Sequence, residues 1–149
     1  MADLLAHVAK DHVRARWPHL AEEVDDFDLV VRVSKDDEPS TGNSAGLPLA
    51  IGLVSALLGK PVPRSVALSG ALTSDGWGAV AVRPIGDAVL KVKGAYHRDL
   101  SAIVLPAANR HELEASYVVP RAIRHELIRF VETLDEAIEA VWGPTAWAW

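Results

Sequence analysis

The densest apolar run of the chain, Ala45 to Leu58, follows a polar, turn-forming stretch, Ser34 to Asn43, and stops at Gly59-Lys60-Pro61. Apolar residues fall on all sides of its helical wheel, which predicts a helix in the middle of a layered core. Pro48 falls in the first turn, where a missing N–H is tolerated. Gly52 inside the run costs about 1 kcal/mol relative to Ala, which predicts that another backbone packs closely there. Upstream, Leu4, Leu5, Val8, Val13 and Trp17 form a rough stripe that predicts a helix over 3–16, ended by Pro18. Acidic Glu22 to Asp28 reads as a solvated loop, and Phe27 to Val33 as a strand.

Downstream the elements are short. Ser65–Ser69 and Ala79–Val82 read as the two arms of a hairpin around Asp75-Gly76. Asp87–His97 reads as a helix, Ala102–Leu105 as a strand closed by Pro106, and Ala108–Ala115 as a short helix or turn. Leu127–Val131 reads as a last strand. Leu134–Trp142 is amphipathic, with Thr133 and Glu136 spaced as a capping box. Trp147 and Trp149 sit in a tail that either packs back on the domain or meets a neighbouring subunit.

Composition narrows the function classes. The 149 residues fit one domain, and 50% hydrophobic with 23% charged residues suffices for a core. A net charge of -5 without a Lys/Arg-rich run argues against nucleic acid as a partner. With no cysteine there is no disulfide, no thiolate nucleophile and no cysteine-ligated zinc. Met1 to His12 has no apolar signal region, and Ala45–Leu58 is too short to span a bilayer. A cytoplasmic protein with no membrane association is the expectation. No phosphate loop occurs, and His111-Glu112 and His125-Glu126 lack a second histidine at metalloprotease spacing. Asp36, Asp37 and Glu38 read as solvated, and His7 and His12, five apart, as solvated or capping. No cofactor and no metal is expected.

The chemistry concentrates at Thr41-Gly42-Asn43-Ser44-Ala45-Gly46, where an extended segment meets the buried helix. A serine there is exposed to substrate beside unpaired helix N–H groups, which suits a nucleophile; a helix cap is the plain alternative. Gly42-Asn43-Ser44-Ala45-Gly46 has the literal form of a nucleophile elbow, but Glu112, Asp135 and His125 do not supply the acid-then-histidine order that such a triad needs. The other base is lysine, whose pKa of about 10.4 must fall by roughly 3 units to act near neutrality, as burial against apolar walls can achieve. Lys91, in Val89-Leu90-Lys91-Val92, is the candidate, with Lys93 nearby.

Several segments in order carry a family likeness. Asn43-Ser44-Ala45-Gly46 is similar to a P-S-A-G nucleophile segment, and Gly59-Lys60-Pro61-Val62 to a G-x-P-V turn. Val66-Ala67-Leu68-Ser69-Gly70-Ala71 is similar to V-A-M-T-G-E, and Pro84-Ile85-Gly86-Asp87-Ala88-Val89-Leu90-Lys91 to P-I-G-G-x-x-x-K. Ile103-Val104-Leu105-Pro106 is followed by Asn109 and a last helix, also as in the family. From Asp28 onward the chain thus resembles the proteolytic domain of Lon proteases. Thr41 stands where the family often has an acidic residue, and Ala71 where it has a glutamate.

The resemblance implies an α+β fold of small mixed sheets packed with helices. The domain would occupy 27–143, between an N-terminal helical segment, 1–26, and a tail, 144–149. It implies a Ser-Lys dyad of Ser44 and Lys91, supported by Ser69, which replaces a threonine that contacts the lysine, and by Thr41 in the preceding loop. The implied partners are a polypeptide substrate, further copies of the chain, and a separate ATPase or regulatory subunit, since no ATPase module is expected on this chain. An inactive module of the same fold, used for assembly or partner binding, is the alternative.

Overall fold

The structure is a computed structural model and describes residues 2–30, 43–75, 79–96 and 98–149. Its helices are α1 (Ala2–Arg16), α2 (Ala21–Asp25), α3 (Gly46–Leu58), α4 (Ala88–Tyr96), α5 (Arg110–Glu114), α6 (Arg121–Glu126) and α7 (Leu134–Trp142). Its strands are β1 (Val66–Leu68), β2 (Ala71–Ser74), β3 (Val80–Arg83), β4 (Ala102–Pro106) and β5 (Ile128–Val131). β1, β4 and β5 form a parallel sheet in the order β1-β4-β5, while β2 and β3 form a separate antiparallel pair. This is the expected α+β fold of small mixed sheets with helices.

β4 explains the layering. All five of its residues are buried, as in a parallel strand covered on both faces. Because successive side chains point to opposite faces, β4 feeds two cores. Val104 joins Leu5, Val13, Trp17, Ile51, Val54 and Ile138, the core between the sheet and α1, α3 and α7. Ile103 and Leu105 join Ala88, Val92, Leu113 and Val119 on the side of α4 and α5. The central apolar helix, α3, packs against α1. It ends at Gly59, whose left-handed φ of 64° suits a residue without Cβ.

Four expectations need correction. The hairpin exists, but its first arm is Ala71–Ser74; Ser65–Ser69 instead contributes β1, which pairs in parallel with β4. No turn signal encodes that pairing, because the partners lie more than thirty residues apart in sequence. Phe27 to Val30 carry no strand; Val31 to Val33 lie outside the described residues. The N–H groups of Asp26 and Phe27 bond back to Glu23 and Val24 carbonyls, so the chain is still closing α2. That helix forms inside the expected acidic loop because Val24 anchors it in the core, 1% exposed. Gly52 is exposed with open space where a Cβ would stand, so close backbone approach does not explain it. α6 was not anticipated at all.

The predicted C-terminal features are present. Thr133 Oγ1 accepts from Glu136 N–H at 3.2 Å, and Glu136 Oε2 accepts from Glu132 N–H at 2.6 Å. The tail packs back on the domain. Trp147 stacks on buried Trp17 at 5.5 Å, and Trp17 Nε1 donates to Ala146 O at 3.0 Å.

The backbone crossing of Ser44–Leu47 with Gly70 needs glycine. Gly70 N–H donates to Ser44 O at 3.0 Å, and Leu47 N–H donates to Gly70 O at 2.8 Å. A Cβ on Gly70 would meet Val82 Cγ1 at 3.0 Å and Leu47 Cδ2 and Cβ at 3.1 and 3.2 Å. A Cβ on Gly46 would meet Leu72 N at 3.3 Å.

His12 is neither solvated nor capping. It is 3% exposed between α1 and α7, with Nε2 at 2.8 Å from Asp135 Oδ1, off the ring's hydrogen-bonding direction. Burial lowers its pKa below the usual 6.5, and the nearby Arg16 charge lowers it further, against the opposing pull of Asp135.

Two outcomes follow from this packing. Gly70→Ala forces Leu47 or Val82 aside, so urea unfolding should show a loss of about 1–3 kcal/mol; unchanged stability would contradict the crossing. The folded state disfavours protonated His12, so its contribution is complete above the unfolded pKa near 6.5 and is lost as pH falls toward the lower folded value. The urea midpoint should drop between about pH 7.5 and about pH 5.5. His12→Gln should flatten that drop, and an equal slope in both proteins would refute the assignment.

Candidate active site

Ser44 lies in a single 3₁₀ turn, Asn43–Ala45, that leads into α3. It is half-buried. The N-cap position of α3 is Ala45, which makes no side-chain cap. Ser44 is therefore not the cap of this helix, which removes the plain structural explanation for its presence. The positive end of a 13-residue helix lies directly beyond it, and its carbonyl is held by the Gly70 crossing.

The same crossing brings Ser69 next to Ser44 along the backbone. Ser69 is half-buried, and its N–H donates to Val104 O at 3.1 Å, extending the β1–β4 ladder by one residue. The candidate serines are thus tied to the central strand through main-chain bonds alone. Thr41 lies outside the described residues.

Lys91 sits on α4, between Ala88 and Val92, which are buried in the second core. Its own side chain points away from that core and is exposed, as is that of Lys93. The apolar walls expected around Lys91 are absent among the described residues. The hydrogen bonds of the described residues include none from Lys91 Nζ to Ser44 or Ser69. The structure links the two serine segments through the Gly70 backbone and places Lys91 on α4, which packs in the second core.

The turn that leads to Lys91 is closely specified. Asn109, 4% exposed, accepts from Ile85 N–H at 3.0 Å and donates to Ile85 O at 2.9 Å. In the sequence only the family likeness marks Asn109, without a role; its burial and its bonds to Ile85 come from the structure. A cleft of about 880 Å³ runs along the free edge of β5, lined by Arg121, Arg129, Phe130 and Glu139 among others. None of the candidate residues lines it. Among the described residues no three His, Cys, Asp or Glu side chains are grouped to hold a metal, and no helix is long and apolar enough to cross a membrane.

Comparison with known proteins places the chain in a family. The chain is 34% identical over 138 residues to Lon protease 1 of Thermus thermophilus, covering 90% of this chain and 16% of that protein. It is 33% identical over 138 residues to Lon protease 1 of Bacillus subtilis, covering 90% and 17%. With Lon protease 1 of Sorangium cellulosum it shares 38% over 112 residues, covering 74% and 13%. The chain spans about one sixth of the length of these curated relatives. Residues 3–143 match the family model of the Lon protease (S16) C-terminal proteolytic domain, so the likeness reaches through α1, well upstream of Asp28 where the motifs begin. On that match, which takes in both cores, the two-serine crossing and α4, the chain belongs to the Lon protease (S16) C-terminal proteolytic domain family.

Proposed function

We propose that this domain is a serine peptidase that cleaves unfolded or flexible polypeptide with Ser44 as nucleophile and Lys91 as general base. The observation that carries the reading is the position of Ser44, ahead of α3, held by its backbone and not employed as the cap. Lys91 takes the Ser44 proton as Oγ attacks the scissile carbonyl. The oxyanion forms beside the positive end of α3. Lys91 then gives the proton to the leaving amine; in the second half the Lys91 amine takes a proton from water as the hydroxide attacks the ester, and returns it to Ser44 Oγ as the acyl group leaves as the acid. Ser69 orients Lys91, and Thr41, three residues before Ser44 in the sequence, is a supporting residue. Catalytic hydrogen bonds are often open without substrate, and in this reading substrate or a neighbouring copy brings Lys91 onto Ser44.

Whole Lon proteases are the named relatives, and this domain corresponds to a small part of each. The partners in the proposal are therefore the polypeptide, further copies of the chain in a cytoplasmic homo-oligomer, and an ATPase or regulatory subunit that delivers substrate. One observation favours a second reading, a non-catalytic module for assembly or partner binding: Lys91 is exposed and not bonded to either serine.

Degradation of casein with and without ATP separates the two. On the peptidase reading, Ser44→Ala and Lys91→Ala keep the wild-type melting temperature. Loss of the base in Lys91→Ala lowers the rate by about 10²–10⁴-fold. Wild-type activity in either variant rejects the dyad, and an inactive but folded wild-type oligomer supports the module.

A further inference from the structure

We infer that Asn109 is a positioning residue for Lys91, acting through the turn that launches α4. The inference rests on the dyad reading above.

Lys91 makes no side-chain hydrogen bond or ion pair among the described residues. Among the described residues, therefore, only the backbone at the start of α4 sets where its side chain begins. That backbone is defined from two sides. On the helix side, Lys91 N–H donates to Asp87 O at 3.0 Å, and Ala88 and Val92 seat the helix in the second core. On the other side stands Ile85, buried, with Pro84 before it unable to donate a backbone hydrogen bond.

The Asn109 carboxamide serves Ile85 as a peptide group would in a strand. Its Oδ1 accepts from the Ile85 N–H and its Nδ2 donates to the Ile85 carbonyl, at 3.0 and 2.9 Å. The second amide hydrogen goes to Glu112 Oε1 at 2.6 Å, which fixes which way round the amide sits. A buried residue with both main-chain groups met by one side chain has little freedom to shift, because losing that partner leaves two buried polar groups unpaired.

Between the two anchors the chain is under local strain. Asp87 has a φ of 55°, the one left-handed non-glycine among the described residues. Such a conformation persists where its surroundings over-determine it. Here the surroundings are the Asn109 staple on Ile85 and the first hydrogen bond of α4. Releasing the staple lets the turn relax toward ordinary backbone and rotates the first turn of α4, and Lys91 moves with it. Asparagine is required because the site calls for an acceptor and a donor on one planar group. Aspartate keeps the acceptor for the Ile85 N–H, but sets a carboxylate against the Ile85 carbonyl and Glu112.

The test uses the full chain, wild type against Asn109→Ala and the isosteric Asn109→Asp. Steady-state cleavage of a fluorogenic casein is normalised to Ser44 sites titrated with a serine-reactive phosphonate. Amide hydrogen exchange is read at Ile85 and Lys91. Both variants should stay folded, exchange these amides at least about tenfold faster, and lose at least about tenfold in kcat with KM within about twofold. The pH–rate limb of the base should shift with kcat. If Asn109→Ala fails to fold, Asn109→Asp carries the test. Wild-type kcat and pH limb with faster exchange would overturn the positioning role and leave Asn109 a structural staple. Unchanged exchange would overturn the staple itself. A wild-type chain without Ser44-dependent turnover rejects the dyad reading and this role together, while exchange still reports on the staple.

Discussion

The burial of β4 on both faces is the constraint on which the remaining structure depends. A strand covered on both sides must be apolar at every position, and its backbone must find partners on both edges. β1 and β5 supply those partners in parallel. Parallel neighbours require crossover connections, and the crossover helices pack on the face of the second core, while α1, α3 and α7, outside the crossovers, cover the other face. One connection carries the hairpin and α4, and the other carries α5 and α6. The two cores, the positions of the helices and the ends of the strands all follow from this arrangement.

The candidate site inherits its geometry from the same strand, in two different ways. Ser69 is tied directly to Val104, and Ser44 to Gly70 one residue further along. These are short main-chain links, and two glycines permit the close approach. Lys91 is connected at longer range, through the second core, the stapled turn and the first turn of α4. Ser44 is thus held by its backbone, while the Lys91 amine stands exposed at the end of a flexible side chain. The tail tryptophans pack elsewhere: Trp147 stacks on Trp17, and Trp149 lies against Trp142 and Lys60.

Much of this was legible from local rules. The long apolar helix, the Gly59 stop, the cap of α7 and the strands at β4 and β5 each rest on short-range patterning that the tertiary structure had no reason to override. His12 was misread as solvated or capping, because the wrong spacing was weighed. Its distance from His7 says little, but it lies on the same helical face as Leu5 and Ala9, which are core residues. α2 was hidden because one apolar residue, Val24, among acidic neighbours gives no periodicity, yet burying it suffices to order a short helix against a core already formed.

Residue types and order along the chain determined which side chains are available for chemistry. Ser44, Ser69, Lys91 and Asn109 fall in consecutive motifs whose spacing a single sequence displays. Partner choice was decided by the tertiary structure. β1 left the expected hairpin because hydrogen bonds to a strand buried on both faces are available only across the crossover, and a distant pairing leaves no local mark. Tertiary structure also decided that Ser44 does not cap its helix and that Lys91 faces outward. Both depend on the direction of a backbone set by contacts far away in sequence: the Gly70 crossing for the serine, and the packing of Ala88 and Val92 in the second core for the lysine.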